Sequence, residues 1–104
     1  MPRDSKPEIA IPRKVVFATS DSEDAATGWI VRMSVAGAQI ESLQAPPTGS
    51  EVLLCADLLD GEEPVGLRGR VQWSTPTQFA IQFGALGARE TNAIVRASGR
   101  RTAA

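Results

Sequence analysis

The chain has 104 residues and a mass of 11.0 kDa, which is room for one small domain, since domains typically hold about 100 to 150 residues. Hydrophobic residues make up 42% and charged residues 22%, with a net charge of -1 and a pI near 5.4, the balance of an ordinary soluble globular chain. There is no histidine, no tyrosine and one cysteine, so histidine acid–base chemistry, Ser-His-Asp and Cys-His pairs and Cys/His zinc clusters are excluded by inventory, and the expectation is a protein that is not an enzyme and holds no metal.

Charge is unevenly placed. Arg3, Lys6, Arg13 and Lys14 outweigh Asp4 and Glu8 to give +2 up to Ser20; nine acids against Arg32, Arg68 and Arg70 give -6 from Asp21 to Ala88; Arg89, Arg96, Arg100 and Arg101 against Glu90 give +3 beyond it. A duplex-DNA binder carries a basic stripe on its folded body, so the acidic body predicts no nucleic-acid partner. Basic ends suit a small anionic ligand or an acidic protein surface. Cys55 has no partner for an internal disulfide and the first residues lack the apolar run of a signal peptide, which together predict a cytoplasmic protein. Apolar stretches are too short to span a bilayer, so no membrane insertion is expected.

In chain order, residues 1–12 hold Pro2, Pro7 and Pro12 without apolar periodicity and read as a flexible tail. Period-two alternation, the mark of half-buried strands, then begins. Lys14 to Thr19 is a first strand, followed by the acidic loop Ser20 to Thr27. Gly28 to Met33 is a second, with Trp29, Val31 and Met33 on one face, and Ala38 to Ser42 a third with Ala38 and Ile40 inward. Ser34-Val35-Ala36-Gly37 turns the chain between them. After Pro46-Pro47-Thr48-Gly49 the fourth strand runs from Glu51 to Leu59, with Val52, Leu54 and Ala56 on one side and Leu53 and Cys55 on the other, a pattern that predicts cover on both sides and a buried Cys55.

In the fifth strand Leu67, Gly69, Val71 and Trp73 point one way and Arg68, Arg70, Gln72 and Ser74 the other, and Phe79, Ile81 and Phe83 supply the matching face of the sixth. Six short strands about ten residues apart predict a closed or nearly closed antiparallel barrel. Ala88 to Ser98 reads as helix, with Ile94 and Ala97 packed and Gly99 as its stop. The expected division is a tail 1–12, a barrel with helix 13–99 and a basic end 100–104.

The string Arg32-Met33-Ser34-Val35-Ala36-Gly37 between two strands, together with Leu67-Arg68-Gly69-Arg70-Val71-Gln72-Trp73 and Phe79-Ala80-Ile81-Gln82-Phe83, resembles the PilZ domain over nearly the whole chain. The resemblance implies an all-β fold with a small helical appendage, a six-stranded antiparallel barrel followed by a short C-terminal helix. It also implies, for many members, binding of cyclic di-GMP through a tail motif RxxxR and a turn motif [D/N]xSxxG. Such residues suit that ligand: guanidinium forks grip phosphate or the guanine O6 and N7, Asp or Asn meets a guanine edge, and Gly permits close backbone approach.

Ser34 and Gly37 match the Ser and Gly of the turn, and Arg13 matches either tail arginine, with Lys14 or Arg3 as a partial substitute for the other. Arg32 stands where the motif has Asp or Asn. The second tail arginine is replaced by Ile9 on one alignment and by Phe17 on the other. The resemblance therefore implies a degenerate member with weak or absent cyclic di-GMP binding and no other cofactor, acting through a cytoplasmic protein partner in a motility or signalling pathway, as a monomer or weak dimer. The alternative is a cyclic di-GMP receptor whose tail closes over the nucleotide. Against both stands a simpler account in which Ser34 and Gly37 only make a turn, with Gly37 at positive φ. Arg68 and Arg70 are either a solvated strand face or a protein interface, and Trp29 and Trp73 read as core or rim packing.

Overall fold

The computed structural model describes residues 13–22, 24–59 and 61–99. Alternation draws six strands: β1 Arg13–Thr19, β2 Ala26–Met33, β3 Gly37–Glu41, β4 Glu51–Ala56, β5 Val65–Ser74 and β6 Gln78–Phe83, followed by α1 Ala88–Gly99. Every neighbouring pair is antiparallel, and the order β1-β2-β3-β6-β5-β4 closes on itself as a barrel. Closure leaves no strand edge unpaired.

One side of each strand fills the barrel. Val15, Phe17, Ile30, Ile40, Leu54, Val71 and Phe79 are buried there, and the Phe17 and Phe79 rings meet edge to face with centroids 5.0 Å apart, a pairing favoured by the ring quadrupoles. The helix adds Ala93, Ile94 and Ala97 to the same core, joined by Leu58 and Leu59 from the segment after β4. Arg96 pairs with Glu62 at 3.0 Å and Arg89 with Glu63 at 3.7 Å, exposed contacts between α1 and the β4–β5 connection that supplement its buried face. Glu90 in its first turn and Arg96 in its last suit the helix dipole.

Several expectations are corrected. Two β-bulges interrupt the period: Val31 is the extra residue between Ile30 and Arg32, and Gln72 the extra residue between Val71 and Trp73. A bulge places two residues opposite one and shifts the alternation by a step. Hence Trp29 does not share a face with Met33. It is 48% exposed while Ile30 and Met33 are buried, and Trp73, in phase with Leu67 by simple counting, is 41% exposed.

The fourth strand stops at Ala56, and Leu58 and Leu59 are buried beyond it. Its outer face is open rather than covered: Leu53 is 55% exposed and Cys55 is exposed. The helix includes Gly99 instead of stopping before it. Gly37 has no positive φ; a β-carbon there would collide with the Ile81 carbonyl oxygen on β6, so close strand approach is what excludes a side chain.

Candidate functional site

The β2–β3 turn is built from its own polar groups. The Ser34 N–H donates to the Gly37 carbonyl at 2.9 Å, the Ala36 N–H donates to Ser34 Oγ at 3.1 Å, and the Phe83 N–H donates to the Ala36 carbonyl at 2.9 Å. The serine hydroxyl therefore shapes the turn, and the glycine lets the turn lie against β6. Arg32 is exposed two residues before Ser34, paired in register with Gln39.

Arg13 and Lys14 open β1 and point to opposite sides. Arg13 continues the inward row of Val15 and Phe17 and is half-buried, whereas Lys14 is exposed on the outside beside Trp29. Arg13 pairs with Ile30, four residues before Ser34, so along the strand it falls about 13 Å short of the turn at about 3.3 Å per residue. Arg13 and the turn share one barrel end without touching through adjacent register positions. Phe17 is 3% exposed and packed on Phe79, which makes it a core residue and removes it as a place for a phosphate-gripping arginine. The remaining alignment puts the missing arginine at Ile9, which lies outside the described residues, as do the tail 1–12 and the basic end 100–104.

Arg68 and Arg70 project outward from β5 into a groove of about 650 Å3 that also takes in Glu51, Leu53, Ala18 and Gln82. Arg70 pairs with Glu51 at 2.8 Å. Sequence reasoning found these arginines but missed Leu53 beside Arg68, because its β-strand alternation gave no sign that the outer face is bare. It missed the outward tryptophans for a different reason, the bulges. Trp29 lies across from Glu41 on β3 and Trp73 across from Ala80 on β6; on these two strands Gln39 Nε2 donates to Gln78 Oε1 at 3.0 Å and Gln78 Nε2 donates to Glu41 Oε2 at 3.2 Å. No group of three or more His, Cys, Asp and Glu side chains is placed to hold a metal ion among the described residues, and no helix among them is long and apolar enough to cross a membrane.

A closed six-stranded antiparallel barrel, an SxxG turn between its second and third strands and a C-terminal helix define a class of small β-barrel domains. The PilZ domain family model matches residues 2–99, and the chain belongs to the PilZ family. Among solved structures, the chain is similar to the PilZ domain of CeSA from a cellulose-synthesizing bacterium, at 20% identity and a TM-score of 0.71 over 91% of this chain and 97% of that one. It is also similar to the Bacillus subtilis inhibitor of motility MotI/DgrA, at 13% identity and a TM-score of 0.72 over 99% of this chain and 53% of that one, so it spans about half of that protein. These likenesses establish the fold. No curated protein sequence matches the chain.

Proposed function

We propose that this PilZ protein is a non-enzymatic regulator that acts by contact with another cytoplasmic protein of a motility, polarity or cell-surface pathway, with its affinity for cyclic di-GMP weak or lost. The observation that carries the reading is Arg32, an exposed cation at the turn position where the family's motif has Asp or Asn. Losing one charge-assisted contact of that kind costs on the order of 2 to 3 kcal/mol, about a hundredfold in affinity, and the lack of a second arginine at the RxxxR spacing from Arg13 adds a like amount. The strip at Arg68 and Arg70 is the contact surface in this reading. The likeness to an inhibitor of motility supports a motility pathway.

Calorimetric titration with cyclic di-GMP at physiological salt tests it. The expected result is little or no heat at micromolar ligand; a sub-micromolar dissociation constant overturns the reading in favour of a receptor. Arg32→Asp combined with Ile9→Arg is expected to raise affinity by an order of magnitude or more. In the native host, Arg68→Glu and Arg70→Glu are expected to abolish function with the fold intact, while Arg13→Ala leaves it unchanged. The opposite pattern favours the receptor.

A further inference from the structure

Arg68 and Arg70 have the same side-chain type, strand and outward face, yet their surroundings differ. Arg70 is neutralised by Glu51. The Arg68 side chain is exposed and forms no ion pair or hydrogen bond among the described residues. Directly across from Arg68 on β4 lies Leu53, and across from Leu53 on β1 lies Ala18. The outer row Ala18–Leu53–Arg68 thus crosses three strands as a small apolar group, a large exposed apolar group and a free cation, all lining one groove.

We propose that this groove, on the protein-contact reading above, receives an extended acidic segment of the partner, with a partner carboxylate forked onto Arg68 and an apolar side chain of the same segment laid on Leu53. A guanidinium offers a carboxylate two parallel N–H donors, and a half-exposed leucine gains by being covered. The spacing fits. Alternate side chains of an extended chain stand about 7 Å apart, about 2 Å more than the single-strand step from Arg68 to Leu53, a difference that the long, exposed Arg68 side chain takes up.

Charge complementarity selects the occupant. Residues 21–88 carry a net -6, so an acidic segment is repelled by most of the barrel and attracted where Arg68 stands, which fixes its place on the surface. The closed barrel offers no free edge for strand addition, so side chains must make the contact. Arg70 is a positioning residue in this arrangement: by holding Glu51 at 2.8 Å it keeps that carboxylate from repelling the incoming acid.

The test is selection from a displayed library of random dodecapeptides on the purified full chain, with the dissociation constants of synthesised hits read by fluorescence anisotropy. Expected hits carry Asp or Glu two positions from Leu, Ile, Val or Phe. Arg68→Glu and Leu53→Asp each weaken them at least tenfold with an unchanged melting temperature, and a peptide with its acid changed to Arg regains binding to Arg68→Glu. Arg70→Ala weakens binding severalfold and Glu51→Gln added to it restores binding, which a merely structural role for Arg70 does not explain. Failure to select any peptide, hits without an acid, or hits indifferent to Arg68→Glu overturn the proposal. Hits lost instead in Trp29→Ala or Trp73→Ala overturn the groove and leave the protein-contact reading standing, whereas tight cyclic di-GMP binding overturns that reading and leaves the peptide results legible.

Discussion

Strands β4 and β5 lie side by side in unbroken register from Glu51 opposite Arg70 to Ala56 opposite Val65, yet they treat their apolar residues differently. In β4 strict alternation holds from end to end, so Val52, Leu54 and Ala56 all reach the core and Leu53 and Cys55 all face out. In β5 the alternation holds from Leu67 to Val71 and then slips at Gln72, and the largest apolar residue of the strand emerges on the outside. The comparison teaches that in a small closed barrel the phase of a strand is a local property. A single extra residue converts a tryptophan from core to surface, and closure with its curvature requires such bulges.

Substitutions can break or sharpen that contrast. The largest effect is expected at Phe79, fully buried and packed edge to face against Phe17: Phe79→Ala should lower stability by about 3 to 5 kcal/mol in chemical denaturation, and a loss under 1 kcal/mol would show that the barrel interior is not the principal core. Gly37→Ala comes next. Its new methyl must displace the Ile81 carbonyl, for an expected loss of roughly 1 to 3 kcal/mol, and a neutral result in a thermal melt would mean that β3 and β6 sit far enough apart at Gly37 to admit a side chain.

Trp73→Ala should cost only about 1 kcal/mol or less, because the bulge leaves the ring at the surface. A loss comparable with that of Phe79→Ala would place Trp73 inside and remove the slip at Gln72. Smallest of all is Arg70→Ala, expected within about 1 kcal/mol because its pair with Glu51 is largely solvated. Acrylamide quenching offers an independent check on both tryptophans: single-tryptophan variants retaining Trp29 or Trp73 should each be quenched readily, and protection of either would contradict its exposure.

Much of the architecture is written in local sequence. Ile40 and Ala38, the row Phe79, Ile81 and Phe83, and the helix face of Ile94 and Ala97 are buried where periodicity puts them, because burial on one side of a regular strand or helix needs only apolar residues at its own repeat. The SxxG turn was legible too, since Ser34 and Gly37 fall between two such strands. What local pattern cannot express is the phase shift of a bulge, as at Val31 and Gln72, or whether anything covers an outer face, as at Leu53 and Cys55.

For the candidate site the division is similar. Composition alone excluded histidine chemistry, and residue identity alone put Arg32 in place of the motif's Asp or Asn. The tertiary structure decided that Phe17 belongs to the core, that Arg13 and Lys14 face opposite ways, and that Gly37 is required by β6 rather than by its own φ. It also decided that the Arg70 side chain is paired with Glu51 while that of Arg68 has no partner among the described residues. Each of those facts depends on which residue lies across a strand boundary, and β1 meets β4, and β3 meets β6, only when the barrel closes. Sequence spacing sets which side chains share a face of one strand; pairing between strands distant in the chain sets what each of them meets.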